Sequence, residues 1–286
     1  MKRKLPAIAI AMLLLLTGFG GGAGESAVQE TTEDTTPAAP LTMTFMKVGK
    51  ADAMILQTEN HTVVIDCGEK SDGKKVVSRL QESGIDTIDY LILTHYDQDH
   101  IGGAAKVVEN FSVGHIIGAD YEENSPEYET LKAEMDEKGY TFESPQDVTE
   151  FTLDDATITL YPHETTDYKD GYDNNCSIVT KVTHHQETFL LAPDAMQERL
   201  SEIMDIGDCD LLKVPYHGRE IANLPQFLAA VTPEYAVVST SENELSAATM
   251  KQLTECGAQT YITFCDGTVI AESDGKSISV TTEPVE

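Results

Sequence analysis

Residues 91–103 read LILTHYDQDHIGG, and this stretch indicates both a fold and a chemistry. Its apolar beginning is typical of a buried strand over 89–94, and its glycine pair opens a helix predicted over 102–110. Four polar side chains crowd in between, at the strand's carboxyl end: His95, Asp97, Asp99 and His100. Carboxylates packed this closely repel one another unless a cation lies among them, and imidazole and carboxylate groups bind divalent metals. We therefore predict a metal site here.

Short apolar strands alternate with amphipathic helices on both sides of this stretch. The predicted strands are 41–47, 53–58, 61–66, 89–94, 114–119, 156–161, 176–183, 188–192, 210–214 and 235–240, with three short ones near 260–263, 268–271 and 277–280. The predicted helices are 74–83, 102–110, 125–138, 194–206, 224–230 and 245–256. The acidic stretch 120–155 is interpreted as a solvated face. We predict an α/β fold in which two sheets pack together with helices outside, an αββα sandwich. Because the polar groups follow strands that are far apart in sequence, we expect the site loops to meet along one edge of the sheets.

The composition limits the classes of function that the chain can have. The chain has 286 residues, 41% of them hydrophobic, which is enough for a sizeable core. Its net charge of −30 excludes a large basic surface and argues against a processive nuclease on long DNA. An anionic substrate needs a local positive charge, for which a bound metal is the obvious source. Lys47 and Lys213 are the basic residues predicted to meet such a substrate.

The N-terminus indicates export. Residues 1–24 combine Lys2, Arg3 and Lys4 with a short apolar run and small residues, as in a secretory signal, with an uncleaved anchor as the alternative. Residues 25–40 (ESAVQETTEDTTPAAP) form a predicted spacer, and 41–286 form the predicted folded domain. No membrane span is expected in the mature chain. The five cysteines are interpreted as buried thiols, although Cys256 and Cys265 are close enough in sequence to pair.

Several motifs in order resemble the metallo-β-lactamase superfamily. That family's HxHxDH motif matches 95–100, with Asp97 in place of the middle histidine. The form HxDxDH followed by IGG is similar to the extracytoplasmic hydrolase domain of the DNA-uptake protein ComEC and its stand-alone relatives. The other matching segments are FMKVGKADAMIL (45–56), VVIDCG (63–68), NNCSIV (174–179), FLLAPD (189–194) and LLKVPYHG (211–218).

The resemblance implies two metal sites that share six ligands. The predicted ligands are His95 and Asp97 in site one, Asp99, His100 and His217 in site two, and Asp194 as a bridge between both. Asp99 is also predicted to be catalytic, by orienting or deprotonating the attacking water. Asp66 would orient the ligand loop. Asn175 and Tyr216 are assigned to the substrate or to support of the ligands, and Tyr216 could donate a proton, polarise an oxyanion or simply pack.

Site one departs from the family pattern. Asp97 supplies oxygen where nitrogen is usual, and the histidine expected near 173–175 is absent. His163 could replace it, although a loop histidine is the preferred interpretation. The expected cofactor is one or two divalent ions, zinc or manganese, with magnesium also possible.

The predicted function is that of an exported metal-dependent hydrolase with a metal-activated water. Its expected substrate is a phosphodiester or another small anionic phosphate ester, and DNA is a possible partner. Two alternatives stay open at this point. One is an amide or lactone hydrolase on the same fold, and the other is a surface binding domain without catalysis.

Overall fold

A computed structural model of the chain describes residues 38–284, which form two β-sheets. The first sheet contains β1 (Leu41–Phe45), β2 (Ala53–Gln57), β3 (Thr62–Cys67), β4 (Thr87–Leu93), β5 (Ser112–Gly118), β6 (Phe142–Glu143), β14 (Val269–Ser273) and β15 (Ile278–Thr282), in the order β15-β14-β1-β2-β3-β4-β5-β6. The second contains β7 (Thr149–Leu153), β8 (Ala156–Tyr161), β9 (Val179–His184), β10 (Glu187–Leu191), β11 (Leu211–Lys213), β12 (Tyr235–Val238) and β13 (Gln259–Ile262), in the order β13-β12-β11-β10-β9-β8-β7.

Helices cover the outer faces of both sheets. They are α1 (Gly73–Glu82), α2 (Gln98–Ile101), α3 (Ala104–Asn110), α4 (Pro126–Lys138), α5 (Tyr172–Asn175), α6 (Gln197–Glu202), α7 (Leu224–Val231), α8 (Ala247–Cys256) and α9 (Thr263–Asp266), with a 3-10 helix at Pro215–Gly218. Apolar side chains of α1, α3 and α4 pack on the first sheet, and those of α6, α7 and α8 on the second. A third cluster, which includes Phe45 and Phe189, fills the space between the sheets. The predicted αββα sandwich is confirmed.

The side-chain alternation of the strands explains this layering. In β2, Met54 and Leu56 point into the cluster between the sheets, whereas Ala53 and Ile55 point to the helices. A strand that is covered on both faces reads as a continuous apolar run because neither set of side chains meets water. The described residues, 38–284, all belong to one compact unit.

Two predicted elements near the motifs have different bounds. The helix predicted over 102–110 begins at Ala104 as α3, and a separate short helix, α2, precedes it. Between the two helices, the backbone of Gly103 packs so closely that a Cβ there would lie 2.2 Å from the Cys67 carbonyl oxygen. The helix predicted over 194–206 begins only at Gln197, since Met196 is still extended. Asp194 therefore lies in a loop, where its direction is set by tertiary contacts.

Two further predictions were wrong in part. The strand predicted over 176–183 begins at Val179, because the Cys176 N–H closes the helical turn of α5 by donating to the Tyr172 carbonyl. The stretch 120–155 is not only a solvated face, since it contains β6 and β7. The alternation of Phe151 and Leu153 with polar neighbours was the signal for β7, and both side chains contact the cluster between the sheets.

Some predictions concern residues beyond this description. The signal segment 1–24 and most of the spacer 25–40 lie outside the described residues, so both stay predictions. All five cysteines are free thiols, so the suggested pairing of Cys256 with Cys265 does not form, and three of them are buried as expected. Between residues 38 and 284, no helix is long and apolar enough to cross a membrane.

Candidate metal centre

The candidate centre lies where loops from the two sheets meet. The segment after β4, which includes α2, carries His95 to His100. The loop after β10 carries Asp194, and the 3-10 helix after β11 carries His217. The Nε2 atoms of His100 and His217 lie 3.4 and 3.2 Å from Asp194 Oδ1. The rings of His100 and His217 are 5.4 Å apart, within the distance at which two imidazoles can bind one ion.

Four buried polar atoms of this cluster have no hydrogen-bond partner within the described part of the chain. They are the Nε2 atoms of His95, His100 and His217 and the Oδ1 atom of Asp194. Leaving such an atom unsatisfied costs about 1–3 kcal/mol, so four together are unfavourable unless a ligand binds them. Imidazole nitrogens and carboxylate oxygens are the donors that divalent zinc and manganese take. The donor set therefore fits a divalent cation.

Hydrogen bonds at the opposite ring atom aim each imidazole into the cluster. Nδ1 of His100 donates to Asp66 Oδ2 at 2.7 Å, and Nδ1 of His217 donates to the Ser239 carbonyl at 3.2 Å. Nδ1 of His95 lies 3.2 Å from Thr94 Oγ1, which itself donates to Asp66. With the proton on Nδ1, the lone pair of each ring is on Nε2, and a metal needs it there.

Asp66 supports this arrangement from a strained backbone. Its φ of 56° lies in the left-handed region, which non-glycine residues seldom adopt. Besides His100, its carboxylate accepts hydrogen bonds from the backbone N–H and the hydroxyl of Thr94. A buried carboxylate that holds both the turn and a ring agrees with the orienting role predicted for it.

The two remaining carboxylates among the predicted ligands differ in position. Asp99 is nearly buried, and its Oδ2 lies 3.7 Å from His217 Nε2. Asp99, His100 and His217 bring ligand atoms within 4.8 Å of one another, as do His95, His100 and Asp194. Asp97 belongs to no such group among the described residues. Its side chain is 41% exposed, with Oδ2 at 3.7 Å from His95 Nε2.

The electrostatics of the cluster favour a cation. Burial lowers the pKa of His100, but the negative charges of Asp194 and Asp66 outweigh this and hold that pKa well above its usual range. Burial raises the pKa of Asp194, yet the neighbouring His217 and His100 hold it well below its usual range. A carboxylate environment that stabilises a protonated imidazole also attracts a metal ion.

A buried ion pair near the centre was not predicted. Asp52 and Lys213 form an ion pair in which both side chains are fully buried, and Lys213 also donates to the Pro193 carbonyl at 3.1 Å. Lys213 therefore cannot meet a substrate, which corrects that prediction. Asp52 was visible in the matched segment 45–56. Its role was hidden because its partner lies 161 positions further along the chain (213 − 52).

Lys50 is a cation near the centre that the sequence analysis did not single out. Its Nζ lies 3.0 Å from Asp99 Oδ2. Burial lowers the pKa of Lys50, but the hydrogen bond and negative charge of Asp99 outweigh this and raise it above its usual value. Lys47, which was predicted to meet a substrate, instead donates to the Phe264 carbonyl at 3.3 Å. That prediction is wrong because the Lys47 side chain points to α9.

Asp173 stands near the position of the absent histidine. Burial raises its pKa, as do the negative charges of Asp97 and Glu123, and His95 acts in the opposite direction. The Ile178 N–H donates to the Thr94 carbonyl at 2.8 Å, which joins the segment after α5 to the metal-ligand loop. His163 is in none of the metal-ligand groups found among residues 38–284, and its Nδ1 lies 2.8 Å from the Thr165 carbonyl.

Asn175 and Tyr216 contact protein rather than open space. Asn175 is 1% exposed, and its side-chain oxygen accepts the N–H groups of Met196 and Arg199 at the start of α6. It thereby supports the loop that carries Asp194, which agrees with the supporting role assigned to it. The Tyr216 ring lies 4.9 Å from the Arg219 guanidinium, so packing is the contact observed for this side chain.

The comparisons with known proteins agree with this site. The family model described as "Metallo-beta-lactamase superfamily" matches residues 46–242, and the chain belongs to this superfamily. Its members typically bind one or two divalent metals, in keeping with the His and Asp groups described above. This confirms the resemblance on which the site residues were assigned.

Two relatives found by sequence and one solved structure are similar to this chain. The chain is similar to ComE operon protein 3 of Bacillus subtilis, with 27% identity over 60% of this chain and 22% of that protein. It is also similar to Recombination protein 2 of Haemophilus influenzae, with 25% identity over 68% of this chain and 23% of that protein. The chain thus spans less than a quarter of these relatives. The metallo-β-lactamase fold protein YhfI of Bacillus subtilis has a similar fold, with a TM-score of 0.56 and 16% identity over 82% of this chain and all of that one.

Proposed function

We propose that this chain is an exported metal-dependent hydrolase that cleaves a phosphodiester or a related phosphate ester. The observation that carries the proposal is the set of four buried, unpartnered atoms on His95, His100, His217 and Asp194. Buried polar atoms are almost always hydrogen-bonded in folded proteins, so three ring nitrogens and one carboxylate oxygen aimed at one another point to a bound cation. A scaffold domain that had lost catalysis would have no reason to retain them.

The roles of the residues follow from their positions. His100 and His217, with Asp99, would hold one ion, and His95 and Asp97 would hold the other, with Asp194 between them. A bound divalent ion supplies a water molecule of lowered pKa and polarises the substrate. Asp99, whose Oδ2 lies 3.7 Å from His217 Nε2, would orient the attacking water and accept its proton. Asp66 keeps the His100 ring in the required tautomer through its 2.7 Å hydrogen bond.

The phosphate ester is favoured over an amide or lactone by two features. The relatives found by sequence include ComE operon protein 3 and Competence protein ComA of Neisseria gonorrhoeae, in line with a ComEC-like substrate. The carboxylate-rich ligand set also suits harder ions such as Mn²⁺, which pair well with phosphate oxygens. The net charge of −30 favours a small substrate over long DNA, because a polyanion is repelled at long range.

Export remains part of the proposal. The basic start, apolar run and spacer of residues 1–40 support it, with residues 41–286 as the hydrolase domain. Fractionation of cells that express the full chain tests it directly. We expect the protein outside the cytoplasmic membrane, and a full-length chain that stays soluble in the cytoplasm would contradict export without affecting the hydrolase proposal.

A substrate screen tests the activity. The purified chain is treated with chelator, reloaded with Mn²⁺, Zn²⁺ or Mg²⁺, and offered bis-p-nitrophenyl phosphate, single-stranded DNA, nitrocefin and a lactone. We expect metal-dependent cleavage of the phosphodiester. Cleavage of nitrocefin or the lactone alone would favour the amide or lactone alternative. A chain that binds no metal and cleaves nothing would favour a binding domain.

A further inference from the structure

Lys50 is a lysine that lies directly beside the candidate metal centre. It belongs to the loop between β1 and β2, and its Nζ lies 3.0 Å from Asp99 Oδ2. Among the ion pairs of residues 38–284, this is the only one that joins a lysine or arginine to one of the six predicted ligands. About a third of the Lys50 side chain is exposed, so its ammonium group is reachable from solvent.

The other cations near the centre already have partners. Lys213 is fully buried against Asp52, and Lys47 donates to a carbonyl of α9. Arg219 is paired with Glu244 and lies over the Tyr216 ring. An ammonium group has three N–H donors, and Asp99 engages one of those of Lys50. Lys50 therefore has donors for a further acceptor.

Lys50 also lines a groove next to the metal-ligand loop. The groove has a volume of about 420 Å³ and borders Asp97 and Asp99. Lys50 is its single basic residue, and four carboxylates line the same groove: those of Asp97, Asp99, Glu123 and Glu127. An anionic group that enters the groove is repelled by these carboxylates and attracted only to Lys50. A metal ion bound by Asp99 would strengthen the attraction of an anionic group to Lys50, because the ion offsets the negative charge of the carboxylate that pairs with Lys50.

We propose that Lys50 binds an anionic oxygen of the substrate next to the metal centre and so selects substrates that carry negative charge beside the scissile bond. Lysine suits this role as a compact point charge that binds phosphate oxygens without demanding a fixed geometry. The inference deepens the proposed function and rests on it for the identity of the substrate as a phosphate ester. Lys50 is thereby a specificity-determining residue, not a metal ligand.

The test measures binding of inorganic phosphate to the full chain loaded with Mn²⁺, by calorimetry at low salt. Lys50→Met removes the charge and keeps the apolar stem, Lys50→Arg keeps the charge, and Lys47→Met is the matched control from the same loop. We expect roughly tenfold weaker phosphate binding for Lys50→Met, as for the loss of one charge-assisted hydrogen bond at a partly exposed site. The phosphate affinities of Lys50→Arg and Lys47→Met should stay within about threefold of that of the natural chain, because both variants keep a positive charge at position 50.

Metal affinity is measured on the same variants, because Lys50 could act on Asp99 alone. If Lys50→Met binds metal more tightly but phosphate as well as the natural chain, Lys50 only neutralises Asp99 and the inference is overturned. Steady-state kinetics on bis-p-nitrophenyl phosphate then provide a second readout, in which Lys50→Met should raise KM more than it lowers kcat. An unchanged KM would likewise count against the inference.

The two proposals fail in different ways. If phosphate binding depends on Lys50 but the natural chain cleaves no phosphodiester, the proposed function fails and the anion site stands. If the natural chain cleaves the phosphodiester and Lys50→Met changes neither phosphate affinity nor KM, the proposed function stands and the role of Lys50 is wrong.

Discussion

The Nε2 atom of His100 lies 3.4 Å from the Oδ1 atom of Asp194, although the two residues follow strands of different sheets. His100 follows β4 of the first sheet, and Asp194 follows β10 of the second. This contact joins the two sheets at the edge of the sandwich where the candidate metal centre lies. Metal binding and the packing of the two sheets should therefore be coupled, because an ion held by both residues joins both layers.

Asp194→Ala should abolish activity and reduce bound metal. Asp194 is the carboxylate that faces both His100 and His217, so its loss removes the oxygen that the two sites are predicted to share. Metal content by mass spectrometry and the rate on bis-p-nitrophenyl phosphate are the measurements. Asp208→Ala, an exposed aspartate in a neighbouring loop, is the matched control. Full metal content in Asp194→Ala would remove Asp194 from the ligand set.

Site two should fill first and site one should be the weaker, manganese-tolerant position. Site two has two predicted nitrogen donors, whereas site one has only His95 with carboxylate oxygens. Asp97→His adds a nitrogen to site one and should shift its preference toward zinc. The measurement is an activity titration of the chelator-treated chain with Zn²⁺ and Mn²⁺. If the metal preference of Asp97→His equals that of the natural chain, Asp97 is not a metal ligand. The 41% exposure of its side chain would agree with that outcome.

Asp66→Asn should weaken metal binding by about 10–100-fold, the usual cost of removing the partner that orients a histidine ligand. The carboxylate that takes the His100 Nδ1 proton at 2.7 Å is lost, so the ring is no longer held with its lone pair on Nε2. Metal affinity is measured by competition with a chelator. Asp89→Asn provides the control, because Asp89 lies 2.9 Å from His61 Nδ1 in a similar pair at the other end of β4. Equal losses in both variants would point to general destabilisation.

Asp154→Asn should lower stability in a pH-dependent way. Hydrogen bonds from the side chains of Asn60 and Thr58 hold the pKa of Asp154 at about 2, so the turn between β7 and β8 is joined to the turn between β2 and β3. A folded-state pKa below the unfolded value stabilises the protein above the unfolded pKa, and that stabilisation is lost as the pH falls towards 2.

Urea unfolding at several pH values measures this effect. The free energy of unfolding should differ between the natural chain and Asp154→Asn at pH 7, and the difference should shrink below about pH 4. The effect is small because Asp154 is exposed. Asp155→Asn, whose side chain is 48% exposed and lies 3.6 Å from His185, should show a weaker dependence. A difference that stays constant down to pH 3 would exclude the carboxylate as its source.

Much of the fold could be predicted because each strand and helix leaves a local pattern. Strands such as 89–94 read as apolar runs, and α4 begins at Pro126 after the capping residue Ser125, as its sequence indicates. The bounds of α6 could not be predicted. Its helical periodicity extends over 194–206, but the side chain of Asn175, distant in sequence, accepts the N–H groups where α6 begins.

By itself, the sequence determined the candidate ligands, their place at strand ends and the family to which the chain belongs. These properties are local, since a strand end, a glycine pair and the order of the motifs can all be read along the chain. Only the tertiary structure decided which charges meet. It buried Lys213 against Asp52 and placed Lys50 on Asp99, because ion pairs form between loops that packing of the two sheets brings together, whatever their separation in sequence.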